Sequence, residues 1–173
     1  MNLLRIGILF ATAAFLAGCG EKISAVGEDK SFYIAKVEAW GPPPKDSSDA
    51  QLKDLRDQTT LLAGHVPHTE NPYLLRLRIT KFHQKNPAMS LIVGDQNLLE
   101  VSGEILTLDG KTPIATFSTT ATNDAYVNGL LGFVVSAAAS TNEVVHRLDG
   151  EAANGILEQV YGTKQWNVWT KGR

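Results

Sequence analysis

Histidines are the first side chains in this sequence whose type and spacing could support metal chemistry. His65 and His68 form the only close histidine pair, and Glu70 or His83 could complete a site, since imidazole and carboxylate groups are common zinc ligands. The alternative is a pair of solvated histidines in a loop that contains Pro67. Because this proline disfavours a helix that would present both rings on one face, we predict no metal here.

Charged residues on alternating segments could act as general acids and bases or could hold an anion. Glu100 and Glu104, with Asp95 nearby, have the groups for the first role, and Arg76 with Arg78 for the second. The even spacing within each pair places both side chains on the polar side of a strand, where charged residues usually keep the surface solvated. The sequence has no phosphate-binding loop, dinucleotide fingerprint or nucleophile elbow. We therefore predict no catalysis and no cofactor.

The amino-terminal segment combines one positive charge, a short apolar stretch and a group of small residues. Arg5 precedes the apolar run 6–15, and small residues follow up to Cys19, the only cysteine in the sequence. This arrangement is typical of a secretory signal peptide. The run is shorter than the roughly 20 apolar residues that cross a bilayer. It also lacks the polar face of an amphipathic helix.

Leu16-Ala17-Gly18-Cys19 resembles the lipobox of bacterial lipoproteins. The resemblance implies cleavage after residue 18 and attachment of lipid to the sulfur and the new amino group of Cys19. Each acyl chain contributes about 0.8 kcal/mol per buried methylene, so several chains together hold a protein stably on a membrane. Gly20 stands where the inner-membrane retention signal of that family has Asp. The resemblance therefore implies an outer-membrane anchor and a domain that faces the periplasm.

Charge and length limit what the rest of the chain can be. The formal net charge of −2 becomes −3 when Arg5 is removed with the signal segment, which argues against nucleic acid or an anionic lipid surface as the main partner. With Cys19 lipidated, no thiol remains for a disulfide, and the core must hold by packing alone. The length fits a single domain, predicted over residues 31–173, behind a flexible tether over residues 19–30.

The hydrophobic pattern predicts a two-layer α+β domain with the order β-α-β-β-β-α. Alternating apolar and polar residues indicate strands over residues 32–40, 73–82, 98–108 and 112–122. The first helix is predicted from Ser48 to about Ala63, with Gln51 as the second member of a capping box. The second helix runs from Ser140 to Gly162, a residue type that commonly ends helices. Its apolar stripe comprises Val145, Leu148, Ala152, Ile156 and Val160. Both helices would cover one face of a mainly antiparallel sheet.

This order of elements behind a lipobox is similar to that of small envelope lipoproteins whose module is like the amino-terminal domain of TolB and the core of the curli-secretion lipoprotein CsgG. The resemblance covers residues 32–161 and includes the Gly/Ala-rich stretch 126–139 before the last helix. It implies partner binding or assembly in the cell envelope, without catalysis. Two alternatives stay open at this point: a periplasmic binding module for an apolar or glycan ligand, and a small metal-dependent hydrolase.

Two apolar connections are expected to meet at the end of the sheet that lies away from the tether. If the strands at 32–40 and 73–82 are parallel, as a β-α-β crossover within one sheet usually requires, the connections 83–97 and 126–139 both leave from that end. A contiguous apolar patch usually marks a contact surface, and we predict contact with an envelope protein or a second copy of the chain. The alternative is that the connections bury each other. The predicted contact residues are Leu91, Ile92, Leu130, Leu131 and Phe133.

Overall fold

The computed structural model describes residues 22, 24–27, 31–85, 96–123 and 141–170. The predicted α+β class and element order are confirmed, and a short additional helix follows. The elements are β1 Tyr33–Ala39, α1 Asp49–Ala63, β2 Pro72–His83, β3 Asn97–Thr107, β4 Pro113–Asn123, α2 Thr141–Tyr161 and α3 Thr163–Thr170. The predicted lipid and contact residues lie outside the described ranges, namely Cys19, Leu91, Ile92, Leu130, Leu131 and Phe133.

The four strands form one sheet in the order β1-β2-β3-β4. β1 and β2 are parallel, with Tyr33 opposite Pro72, because α1 carries the chain back between them. The other two strand pairs are antiparallel, and Tyr73 lies opposite Thr107 near the start of β2. We call the end of the sheet where β1 and β2 begin the proximal end, and the opposite end the distal end. By this topology, β3 ends and β4 begins at the proximal end.

One face of the sheet is apolar and packs under α1 and α2, as the two-layer prediction requires. Alternate residues of β2, namely Leu75, Leu77 and Ile79, are at most 1% exposed. The intervening residues Arg76 and Arg78 point to the opposite, open face. The helices therefore cover a single face, and the other carries charged side chains together with the buried pair Leu74 and Leu106 near the proximal end.

The start of α1 confirms half of the predicted capping box. The Ser48 side chain accepts a hydrogen bond from the Gln51 backbone N–H at 3.1 Å. The Gln51 side chain instead accepts from the nearby Ser47 hydroxyl at 2.7 Å and donates to Asp149 on α2 at 3.2 Å. Because α2 packs against α1 here, the amide of Gln51 is buried and bonds across the helix interface.

The two glycines inside α2 lie close to side chains of α1 and β4. A Cβ added at Gly150 would lie 2.7 Å from Gln58 Oε1 on α1, and one at Gly155 would lie 3.0 Å from Thr119 Oγ1 on β4. Gly162 ends the helix with φ of +81°, a conformation that favours glycine. The predicted apolar stripe of α2 is buried at Leu148, Ala152, Ile156 and Val160.

Helix α3 is the element that the sequence pattern does not predict. Trp166 is 1% exposed, stacks on Tyr161 at 6.2 Å and donates its indole N–H to Asn154 Oδ1 at 2.7 Å. Trp169 meets the same tyrosine edge-on at 5.1 Å, and Phe32 stacks on it at 5.0 Å. Since Phe32 directly precedes β1, these aromatic contacts place the junction of α2 and α3 at the proximal end.

Candidate functional site

The described amino-terminal residues are held against the ends of α2 and α3. The Lys22 backbone N–H donates to Thr163 Oγ1 at 3.1 Å, and the Thr163 N–H donates to the Lys22 carbonyl at 2.9 Å. Lys22 Nζ also forms an ion pair with Glu158 Oε2 at 3.2 Å. Farther along, the Ser24 hydroxyl donates to the Val160 carbonyl at 2.8 Å. This part of the chain is thus docked on the proximal end of the domain.

Residues 22 and 24–27 belong to the segment predicted as a flexible tether, residues 19–30, and the tether itself stays a prediction. The last turn of an α-helix has carbonyl groups without partners inside the helix. Two of these carbonyls have partners here. The Ser24 hydroxyl donates to the Val160 carbonyl, and the Ala25 N–H donates to the Gln159 carbonyl at 2.9 Å. The segment caps α2 from a distance of more than 130 residues along the chain, and such a contact leaves no local pattern in the sequence.

Exposed large apolar side chains are concentrated at the proximal end. Leu61 in the last turn of α1, Leu108 directly after β3 and Val168 on α3 are 69%, 48% and 64% exposed. Trp40, the fourth such side chain in the described ranges, follows β1 at the distal end and is 47% exposed. Within these same ranges, no helix has both the length and the apolar character to cross a membrane.

A polar cluster that sequence reasoning missed lies between α1 and α2. Asp54 Oδ2 is 2.9 Å from His146 Nδ1 and accepts a hydrogen bond from Gln58 Nε2 at 2.9 Å. Asp149 Oδ1 accepts from Gln51 Nε2 at 3.2 Å, and the side chain of Asp149 is fully buried. One signal could have indicated the buried carboxyl. Residues three, four and seven positions after Asp149 are all apolar, so it shares the buried side of α2.

Burial raises the pKa of Asp149 to about 8. The hydrogen bond from Gln51 opposes this shift, whereas the neighbouring Asp54 carboxylate adds to it by repelling a second negative charge. Asp149 is therefore largely protonated at neutral pH. If Asp149 were ionised, its Oδ2 would be buried without a hydrogen-bond partner among the described residues. The protonated carboxyl can instead donate a hydrogen bond to Asp54.

The Asp54–His146 pair has the orientation in which a carboxylate holds an imidazole for general-base catalysis. The His146 side chain is 66% exposed. No hydroxyl group in the described part of the chain hydrogen-bonds to this ring. The geometry of the cluster joins α1 to α2 around a titratable carboxyl.

The open face of the sheet carries the two arginines that the sequence placed side by side. Arg76 lies between Glu38 and Glu104, with nitrogen–oxygen distances of 3.7 and 3.8 Å. The Arg78 guanidinium lies over the ring of Trp40, 5.3 Å from its centroid. Because two carboxylates flank Arg76, the pair does not form a site of concentrated positive charge, and this agrees with a solvated sheet surface.

The predicted metal and acid–base candidates do not converge in the described ranges. The His68 ring stacks on Tyr33 at 4.5 Å. Glu100 lies on the open face and pairs with Lys81 at 3.5 Å. Over the described residues, no group of three or more His, Cys, Asp or Glu side chains has an arrangement that could hold a metal ion.

Comparison with known proteins gives only distant structural similarities. No protein-family model matches the chain, and no curated protein matches it either. Among solved structures, a Xanthomonas campestris protein of family DUF330 is 9% identical, with 87% of this chain and 94% of that chain covered and a TM-score of 0.46. A candidate lipoprotein from Caulobacter crescentus CB15 is 14% identical (79% and 92% covered, TM-score 0.41). The PelC dodecamer from Paraburkholderia phytofirmans is 11% identical (77% and 91% covered, TM-score 0.38). With TM-scores under 0.5, these similarities assign neither fold nor function.

Proposed function

We propose that the chain is a lipoprotein of the cell envelope, anchored to the outer membrane through lipid on Cys19 and facing the periplasm. The observation that carries this proposal is the apolar signal segment that ends in Leu16-Ala17-Gly18-Cys19, with the only cysteine of the sequence at its last position. The role we propose is non-catalytic partner binding or assembly. The similarity of the element order to the TolB amino-terminal domain and to CsgG supports that role.

Replacement of Cys19 by Ser tests the anchor. The hydroxyl cannot take the place of the thiol in forming the lipid thioether, so we expect an unlipidated, unprocessed precursor. Metabolic labelling with a fatty acid and fractionation of membranes measure both effects. Gly20→Ser, at the adjacent position, is the matched control and should keep the label. Unchanged lipid labelling and processing in the Cys19→Ser protein would contradict the proposal.

The proposed partner contact lies on the apolar connections at the distal end, with Leu91, Ile92, Leu130, Leu131 and Phe133 as contact residues. We expect Leu91→Asp and Phe133→Asp, made singly, to weaken self-association or crosslinking to an envelope protein while the domain stays folded. Ser118→Asp, an exposed position on β4, is the control. If neither change alters association, or if both unfold the domain, the contact proposal is wrong.

A second candidate function, glycan binding on the open sheet face, is favoured by one observation. The Trp40 indole is 47% exposed beside Arg78, and sugars commonly pack on an aromatic ring flanked by polar groups. Titration of the protein with peptidoglycan fragments should then change tryptophan fluorescence, and Trp40→Ala should abolish the change. A response that survives Trp40→Ala would rule out this surface.

A further inference from the structure

We propose that the proximal end of the domain lies directly on the phospholipid headgroup layer of the membrane that holds its anchor. This proposal rests on the lipidation of Cys19. The surface consists of the exposed residues Leu61, Leu108, Lys164, Gln165 and Val168, and its occupant is the bilayer itself.

The length of chain between the anchor and the domain limits the distance between the domain and the membrane. Lys22 is fixed by hydrogen bonds from its N–H to Thr163 Oγ1 and from the Thr163 N–H to its carbonyl, and by its ion pair with Glu158. Only three residue steps separate Cys19 from Lys22, and an extended chain covers at most about 11 Å in that number of steps. The bilayer surface must therefore lie within about 11 Å of the start of α3. A freely flexible tether over residues 19–30 would set no such limit.

The exposed apolar side chains are on this same end. Single exposed leucines are common on protein surfaces and need no explanation. Here, however, three of the four large exposed apolar side chains in the described ranges belong to segments at the proximal end, namely Leu61, Leu108 and Val168. A membrane interface accommodates such side chains, because their apolar surface leaves water when it enters the boundary between headgroups and acyl chains.

The charges at this end are compatible with a headgroup layer. Lys164 is exposed on α3, and a lysine can extend its ammonium group to lipid phosphates while its methylene chain covers apolar surface. The Asp109 carboxylate in the β3–β4 turn accepts hydrogen bonds from the Thr107 hydroxyl at 2.6 Å and from the Lys111 N–H at 3.1 Å. Glu158 is paired with Lys22. Asp109 and Glu158 thus already have partners, and Glu70, just before β2, is a further exposed acidic group at this end.

Lipid-facing positions can be identified in the intact lipidated protein by single-cysteine labelling. The sulfur of Cys19 is consumed by the lipid thioether, so an introduced cysteine is the only free thiol. We would place Val168→Cys, Leu61→Cys and the control Thr120→Cys, each carrying a bimane label, in phosphatidylethanolamine/phosphatidylglycerol vesicles that contain brominated lipid. Thr120 is exposed on the open face near the distal end of β4.

We expect brominated lipid to quench the labels at residues 168 and 61 at least twofold more than the label at residue 120. Equal quenching at the three positions in a protein that carries its lipid would overturn this inference and leave the proposed function intact. Absence of lipid from Cys19 by mass spectrometry of the same sample would instead overturn the proposed function. Burial of the label at residue 168 that depends on protein concentration and persists in detergent would identify a second copy of the chain as the occupant of this surface. That result would also overturn the inference.

Discussion

The two neighbouring buried sets of residues on α2 differ in how they hold the domain together. The apolar stripe at Leu148, Ala152, Ile156 and Val160 is stabilised by removal of hydrocarbon from water. The polar cluster begins one residue away at Asp149, which is equally buried and meets Gln51 and Asp54 on α1. The stripe has no titratable group and the cluster has one at its centre. The stability that the apolar stripe contributes should therefore be independent of pH. The stability that the polar cluster contributes between α1 and α2 should depend on pH.

Truncation within the apolar stripe should have the largest effect. We expect Ile156→Ala to lower the free energy of unfolding by about 2–5 kcal/mol, because it removes buried methyl and methylene groups and leaves a cavity. Urea denaturation at pH 5 and pH 8 should give the same loss. Val168→Ala, at a 64% exposed position, is the control and should change stability by less than about 0.5 kcal/mol. A loss that differs strongly between the two pH values would break the distinction between stripe and cluster.

Asp149→Asn should have an intermediate effect of opposite sign. The folded-state pKa of Asp149, about 8, lies above its ordinary value of 3.8. The folded state therefore keeps a proton that the unfolded state loses, and stability falls as pH rises from about 4 to about 8, by up to roughly 1.4 kcal/mol per pH unit. An asparagine keeps an acceptor for Gln51 and a donor for Asp54 without a titrating proton. We expect the variant to be more stable than the parent at pH 8, by a difference that grows from pH 5 to pH 8 by up to about 1.4 kcal/mol per pH unit.

The pH dependence itself provides the control for this prediction. Asp57→Asn alters an exposed carboxylate whose pKa is lowered by hydrogen bonds from Lys53 and Arg56. That change should leave the slope between pH 5 and pH 8 as it is in the parent. If Asp149→Asn also leaves the slope unchanged, the buried carboxyl is not the titrating group at the helix interface.

His146→Ala should have the smallest effect. The ring pairs with Asp54 at 2.9 Å but is largely exposed, and exposed ion pairs contribute about 0–1 kcal/mol. We expect a loss below about 1 kcal/mol in thermal or urea unfolding at pH 6. A loss as large as that of Ile156→Ala would show that His146 is part of the buried core rather than its solvated rim.

The sequence predicted what depends on local spacing. Alternation located β1 to β4 within one or two residues, and the helical repeat located the stripe of α2. Features that join distant parts of the chain escaped it. Gln51 and Asp149 are 98 positions apart in the sequence, and Ser24 and Val160 are 136 positions apart. Neither contact produces a periodic pattern in the residues around it. Helix α3 was not predicted either; it is short, and the packing of Trp166 and Trp169 on Tyr161 holds it.

Of the site residues predicted from the sequence, Cys19 and the five apolar contact residues lie outside the described ranges, and their roles stay predictions. The polar cluster and the docked amino-terminal residues came from the structure alone. The docked residues fix the point on the domain from which the chain leads back to Cys19.

The central claim, a lipid on Cys19, is tested most directly by intact mass spectrometry of the protein extracted from native membranes. We predict a chain that begins at Cys19 and whose mass exceeds that of residues 19–173 by a diacylglyceryl group and an amide-linked acyl chain. The unmodified mass of residues 1–173 or of any shorter chain with a free Cys19 thiol would contradict the claim.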